Sequence, residues 1–149
     1  MRKGPCRVMD PLLGNTEDTL RSAGVYTKQQ RIAQLAQEMP EAVLTTLSHH
    51  VDMDWLLEAY HRTRKDGAAG IDAVTAADYE QALEENLSSL LERFKSGRYV
   101  APAVRRVYIP KEAGGKPKRP IGIPTLEDKI LQRAVVMLLT PIYEHDFLG

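Results

Sequence analysis

The stretch RRVYIPKEAGGKPKRPIGIP, residues 105–124, decides the fold of this chain. It opens with a run of β-branched and aromatic side chains that ends at Pro110, and a second short run of this kind spans residues 120–123. Between them, Gly114 and Gly115 mark a turn. Two β-forming runs separated by a glycine-containing turn are typical of a β-hairpin, and prolines without amide donors keep such strands short. We therefore predict a two-stranded hairpin with a glycine-rich, basic tip.

Helical patterns lie on both sides of this hairpin. Upstream, Thr75 and Asp78 have the spacing of a capping box and open the clearest helix of the chain. A single apolar stripe follows in that helix, formed by Leu83, Leu87, Leu90, Leu91 and Phe94. Downstream, Thr125 caps a final helix, whose pattern is interrupted at Pro141. The hairpin is thus expected to lie between two amphipathic helices.

The rest of the chain divides into a leader and further helices. Residues 1–26 are rich in glycine, proline and polar residues without a clear period, and we predict a mobile leader there. A helical pattern begins at Thr27, and the helical segment covers residues 27–98. Residues 99–149 hold the hairpin and the last helix. The sequence therefore predicts an α+β fold in which several helices precede one hairpin and one helix.

Charge is distributed unevenly, although the formal net charge is zero, with 20 basic and 20 acidic residues. Residues 93–119 contain nine of the basic residues and a single acid, Glu112. The remaining positions hold 11 basic and 19 acidic residues. A basic segment beside an acidic remainder suggests one site for an anionic partner such as a nucleic acid.

Cysteine content and hydropathy exclude several classes of protein. Cys6 is the sole cysteine, so neither an internal disulfide nor a cysteine-cluster metal site can form within the chain. No apolar run follows the early positive charges as it would in a signal peptide. The longest apolar run, residues 134–139, is too short to span a bilayer. We therefore expect a soluble, cytoplasmic protein that does not contact a membrane.

The hairpin tip has the composition of an anion-binding loop. Gly114 and Gly115 allow the backbone to approach a ligand closely, and the cations around them are Lys111, Lys116, Lys118 and Arg119. Lysine supplies a point charge and arginine a planar fork for phosphate oxygens, which suits a triphosphate or a nucleic-acid backbone. The same residues also fit a solvated hairpin whose lysines keep an edge strand soluble. Both interpretations stay open on charge alone.

Three segments resemble bacterial group II intron reverse transcriptase/maturases. The hairpin segment, with RRVYIPK, a Gly/Lys turn, RPIGIPT and then DKILQRAV, is similar to the first fingers motif of that family. LTTLSHHVDMDWLLEAY at residues 44–60 and AYHRTRKDGAAGID at residues 59–72 resemble its N-terminal extension and the adjoining loop motif. The resemblance covers residues 27–149. One departure is Ala73, where the family usually has glycine, and a β-carbon there alters the tolerance of the loop for a positive φ.

This resemblance implies the fingers of a right-hand polymerase. Residues 27–98 would be a helical N-terminal extension with a template-side loop, and residues 99–149 the start of the fingers. Lys111 and Arg119 are then expected to contact the incoming dNTP. Template RNA or intron RNA is expected near the other basic positions and the loop glycines, namely Arg105, Arg106, Lys116, Lys118, Gly67 and Gly70.

None of these candidate residues is a carboxylate that could hold a catalytic metal ion. Two-metal phosphoryl transfer needs carboxylates that hold both ions, and the resemblance implies a palm with an Asp-Asp pair that binds magnesium. This chain has no Asp-Asp pair. We therefore assign it no catalytic residue, no metal ligand and no cofactor of its own. We expect a fragment truncated before the palm, which a separate downstream polypeptide would supply.

Two alternatives stay open. One is a non-catalytic RNA-binding module whose basic residues hold a structured RNA. The other is a non-functional truncated reading frame. The last helix motivates this second alternative, because its apolar face, which includes Ile130, Ala134 and Leu138, is expected to be uncovered without a palm.

Overall fold

The computed structural model describes residues 16–110 and 117–148, with side chains described over 17–110 and 117–144. Within these ranges helices dominate, and a two-stranded sheet precedes the last helix. The elements in chain order are α1 Thr16–Glu38, a 3-10 helix Leu47–His50, α2 Met53–Arg62, α3 Ala76–Glu80, α4 Leu83–Lys95, β1 Arg105–Pro110, β2 Lys118–Ile123 and α5 Leu126–Leu148. The predicted α+β class is confirmed.

The predicted hairpin is also confirmed. Strands β1 and β2 pair antiparallel, from Arg105 opposite Ile123 to Pro110 opposite Lys118. The described pairing ends at Pro110 in β1 and at Ile123, just before Pro124, in β2. Proline has no amide hydrogen to donate to a neighbouring strand, which keeps these strands short. The glycine-rich tip, residues 111–116, lies outside the described residues.

The core forms where α5 packs against α1 and α2. Trp55 and Leu56 of α2 are fully buried there together with Ile130 and Ala134 of α5 and Ile32 of α1. The Trp55 Nε1–H donates a 3.0 Å hydrogen bond to the carbonyl of Ala134. The expectation that the apolar face of the last helix is uncovered is therefore wrong, because helices of the same chain cover it.

Helix α1 begins at Thr16, well before the helical start predicted at Thr27. Val25 is buried in the core, and the Ser22 hydroxyl donates to Glu58 Oε2 of α2 at 2.8 Å. These contacts stabilise a helical stretch whose own apolar periodicity is weak. The predicted leader is therefore helical from Thr16 onward, and its earlier residues lie outside the described part of the chain.

Pro141 lies inside α5 without ending it, although the sequence predicts an interruption there. Proline has no amide hydrogen, so the carbonyl four residues earlier, at Met137, lacks its usual helical donor. The Gln29 side chain of α1 supplies a substitute, because its Nε2 donates to that carbonyl at 3.0 Å. The helix continues to Leu148. No helix in the described ranges, α5 included, has the length and apolarity needed to cross a membrane.

The clearest predicted helix begins as expected and then divides. The capping box is present, since Asp78 N–H donates to Thr75 Oγ1 at 3.2 Å and Thr75 N–H donates to Asp78 Oδ2 at 3.1 Å. However, α3 and α4 are separate helices with a turn between them. The Asn86 side chain donates to the carbonyl of Tyr79 at 2.9 Å, which satisfies one of the carbonyls that the break leaves without a helical donor.

Ala73 has a backbone conformation that favours glycine. Its φ is 57°, and no other non-glycine residue in the described ranges has a positive φ. The turn is closed by a 3.1 Å hydrogen bond from the Ala73 amide to the carbonyl of Gly70. Because an L-residue costs about 1–2 kcal/mol in the left-handed region, the chain is strained at the position where it departs from the resembled family.

Replacing Ala73 by glycine is expected to raise the free energy of unfolding. Relief of the left-handed strain, about 1–2 kcal/mol, exceeds the entropic cost of a glycine, about 0.5–1 kcal/mol. Urea denaturation followed by circular dichroism should therefore show a gain of about 0.5–1 kcal/mol. Ala23→Gly, at an exposed position inside α1, is the matched control and should cost about 1 kcal/mol. An Ala73→Gly protein no more stable than the wild type would contradict the strain.

Candidate nucleic-acid interface

Strand pairing divides the hairpin side chains between two faces. Opposite residues of an antiparallel pair share a face, and successive residues alternate. The Arg106 face carries Arg106, Tyr108, Pro110, Lys118, Pro120 and Gly122. The Arg105 face carries Arg105, Val107, Ile109, Arg119, Ile121 and Ile123. Val107 and Ile109 are half-buried whereas every residue of the Arg106 face is exposed, so the Arg106 face is the more open to a partner.

Cations dominate the surface of these two strands. Their basic residues are all exposed, and neither strand contains an acid. Arg106, Lys118 and Arg119 form no ion pair with any residue of the described ranges. The two described strands therefore present positive charge to solvent without an acidic partner among the described residues.

The basic residues just upstream are used inside the protein instead. Arg93 pairs with Glu127 at 2.7 Å, and Arg98 pairs with Glu92 at 3.1 Å. Lys95 donates to a backbone carbonyl near the 3-10 helix at 2.7 Å. The basic segment predicted from the sequence thus has two parts, and the strands form the part whose charge is available to an external anion.

Two cations hold the loop at residues 67–70 in place. The Arg105 Nε–H donates to the carbonyl of Ala69 at 3.0 Å, and Lys129 Nζ of α5 donates to the carbonyl of Ala68 at 2.8 Å. Arg105 was singled out as an RNA contact, and the structure also gives it a positioning role. The loop, the hairpin base and α5 are joined by these two bonds.

Gly70 is buried where this loop crosses the start of α5. A β-carbon there would lie 2.6 Å from Thr125 Cα and 2.9 Å from the carbonyl carbon of Pro124. The small residue is therefore required for a close approach to the chain's own backbone. Gly67 is exposed, and its β-carbon would meet only Lys129 Nζ, at 3.6 Å. The two loop glycines predicted as one group thus differ in environment.

A second group of cations lies beside the loop, in a cleft of about 350 Å³. The cleft is lined by Thr63, Arg64, Gly67, Lys129, Gln132, Arg133 and Val136. Lys129 and Arg133 stand four residues apart on α5, so they lie on the same side of the helix. Sequence reasoning missed both residues, although their i, i+4 spacing in DKILQRAV was a usable signal.

The acidic residues that open α5 have structural partners. Glu127 accepts hydrogen bonds from Arg93 and from the Tyr79 hydroxyl, and Asp128 accepts from the Tyr99 hydroxyl at 2.9 Å. Burial, and then the neighbouring carboxylate, raises the pKa of each phenol, so both remain donors. Among the side chains that the structure describes, no group of three His, Cys, Asp or Glu could hold a metal ion.

The structure brings together only some of the residues singled out from the sequence. Arg105 and Arg119 share one face of the hairpin, and Arg106 and Lys118 share the other. Gly67 and Gly70 lie in the loop that Arg105 contacts. Lys111 and Lys116 lie outside the described residues, so their contacts with nucleotide and phosphate stay predictions.

This combination defines an α+β protein in which an exposed cationic hairpin adjoins a glycine-containing loop. No protein-family model matches the chain. Over 123 residues it is 37% identical to Protein YkfC of Escherichia coli (strain K12), a match that covers 80% of this chain and 32% of YkfC.

Over 119 residues the chain is 33% identical to Group II intron-encoded protein LtrA of Lactococcus lactis subsp. cremoris, a match that covers 79% of this chain and 20% of LtrA. The same values hold for LtrA of strain MG1363. The chain thus spans about a third of the length of YkfC and a fifth of that of LtrA. The similarity to LtrA supports the relationship to group II intron reverse transcriptase/maturases that the motifs indicate.

Replacing Gly70 by alanine should destabilise the protein, because the added methyl group would meet backbone atoms that cannot move independently. We expect a loss of about 1–3 kcal/mol in the free energy of unfolding, measured by urea denaturation. Gly24→Ala is the matched control, since a β-carbon there meets nothing within 4 Å and the residue lies inside α1. That change should add about 1 kcal/mol. Equal stabilisation by both substitutions would contradict the close approach.

Proposed function

We propose that this chain binds RNA through its cationic hairpin, as part of a reverse transcriptase/maturase system of the group II intron type. The observation that carries the proposal is the hairpin itself, with two exposed strands that contain Arg105, Arg106, Lys118 and Arg119 and no acid. Intron or template RNA is the partner that the similarity to LtrA favours. Phosphate contacts by such cations supply affinity without requiring a particular base sequence.

The arrangement around the hairpin supports this use. Upstream, Arg93 and Arg98 form ion pairs with Glu127 and Glu92. On the strands, Arg106, Lys118 and Arg119 form no ion pair with any described residue, and Arg105 donates to the carbonyl of Ala69. Hydrogen bonds from Arg105 and Lys129 join the hairpin base and α5 to the loop at residues 67–70. These bonds hold the base of the hairpin in position. The cleft beside the loop adds Lys129 and Arg133 of α5 as further cations, whereas Arg64 in the same cleft is paired with Asp66.

Nucleotide contacts form the finer part of the proposal. By resemblance, Lys111 and Arg119 contact the triphosphate of an incoming dNTP, and Arg119 lies on an exposed strand where a ligand can reach it. We assign the chain no chemical step, because its 149 residues contain no Asp-Asp pair. A palm partner would have to supply both carboxylates and metal.

The alternative of a non-catalytic RNA-binding module makes use of the same hairpin. It differs in its need for nucleotide, because a module without a polymerase ancestry has no reason to bind dNTP at Arg119. Covering of the α5 face by α1 and α2 removes the observation that motivated a non-functional reading frame. The polymerase fragment and the RNA-binding module share RNA binding, which is therefore the property to test first.

RNA binding should show the salt dependence of phosphate neutralisation. The affinity for a fluorescein-labelled oligouridylate should fall steeply as salt rises, and Arg106→Ala should reduce the slope of log K against log salt by about 0.7. Lys118→Ala should do the same, since each substitution removes one phosphate contact. Fluorescence anisotropy at several salt concentrations measures both quantities.

Arg31→Ala provides the control, because Arg31 is exposed on α1, remote in sequence from the hairpin, and carries the same charge. It should leave the slope unchanged. If the wild type shows no affinity at low salt, the proposed function fails. If Arg31→Ala and Arg106→Ala lower the slope equally, binding is general electrostatic attraction and the hairpin is not the site.

A further inference from the structure

We propose that the Arg106 face of the hairpin holds single-stranded RNA by stacking an unpaired base on the ring of Tyr108. The inference rests on the RNA-binding function proposed above and adds a second kind of contact to it. Phosphates would meet the cations of this face, and a base would meet the aromatic ring between them. No structural role in the described part of the protein requires this ring to be where it is.

Tyr108 is an aromatic side chain left open to solvent. Its exposed fraction is 57%, and it makes no hydrogen bond or ring contact with any described residue. Three other tyrosines are engaged within the protein, since Tyr60 and Tyr79 stack on each other at 6.5 Å and Tyr99 donates to Asp128. A large aromatic on a fully exposed strand face is therefore available for an external partner.

The neighbours of Tyr108 suit a nucleic acid. Arg106 precedes it on the same face of β1, and Lys118 lies diagonally across on β2, opposite Pro110. The residues directly opposite Tyr108 and Arg106 are Pro120 and Gly122. Neither brings a long side chain over the ring. The ring is therefore flanked by two cations at the spacing of neighbouring side chains on a sheet and keeps an open surface between them.

This arrangement matches the way single strands are held without sequence selection. Cations follow the phosphate backbone, and aromatic rings accept bases, because every base has a π-face. A base in a duplex is already stacked and does not offer that face. The Arg106 face should therefore prefer an unpaired strand, whereas cations alone would bind a duplex at least as well.

The experiment compares Tyr108→Leu with Tyr108→Phe and the wild type, with fluorescein-labelled oligouridylate as the probe. Tyr108→Leu should weaken binding about tenfold while the slope of log K against log salt stays unchanged, since no charge is lost. Tyr108→Phe keeps the ring and should bind as the wild type does. Tyr26→Leu is the matched control, because Tyr26 is 60% exposed on α1, and it should have no effect.

The same variants on a duplex RNA of equal length separate stacking from a loss of structure. There Tyr108→Leu should bind as the wild type does, whereas a misfolded hairpin would lose affinity for both probes. The stacking proposal is overturned if Tyr108→Leu leaves oligouridylate binding unchanged while the wild type binds with a steep salt slope, and the proposed function then stands. It is also overturned if Tyr108→Leu and Tyr26→Leu, or the two probes, are affected equally. A wild type that binds neither probe defeats both proposals.

Discussion

The indole of Trp55 in α2 joins that helix to α5, and the position of the hairpin depends on this contact. The ring is fully buried, and its N–H donates to the carbonyl of Ala134 in the middle of α5. A buried donor without a partner lowers the stability of the fold, so this bond favours one position of α5 against α2 over others. Only Pro124 and Thr125 separate the end of β2 from the start of α5. Fixing the helix therefore fixes the base of the hairpin.

The loop at residues 67–70 packs against the start of α5 and is hydrogen-bonded to the base of the hairpin. Gly70 lets the loop backbone cross the start of α5 at a distance that no side chain would permit, while Arg105 and Lys129 hold its carbonyls from either side. Upstream, ion pairs occupy Arg93 and Arg98, and Lys95 donates to the carbonyl of Ser48. The strands therefore carry the cations that are open to an external anion. The two groups of cations thus differ in where the fold places them. This difference explains how a chain with no net charge presents a cationic face to solvent.

Local signals made part of this structure predictable. The hairpin and the capping box at Thr75 follow from residues close together in the chain, and both are present. The interest of Ala73 came from the family resemblance instead, and its φ is positive. The early start of α1 was missed because its stability comes from contacts with α2, which no local pattern records. The pattern indicates an interruption of α5 at Pro141 with a continuation at Ile142 after a kink, and the helix does continue. The substitute donor could not be predicted, because Gln29 lies far away in sequence. At the candidate site, the strand cations were found from composition. Their separation into two faces, and the presence of Lys129 and Arg133 beside the loop, needed the pairing register and the helix packing.

The most direct test of RNA binding by the hairpin is a residue-by-residue map of the contact. Backbone amide spectra of the ¹⁵N-labelled protein should be recorded as unlabelled oligouridylate is added at low salt. We expect the largest shift changes at the non-proline residues of 105–110 and 118–123, with smaller changes in the loop at residues 67–70 and none along the exposed side of α1. Changes centred on α1 or α4, or spread evenly over the surface, would contradict it.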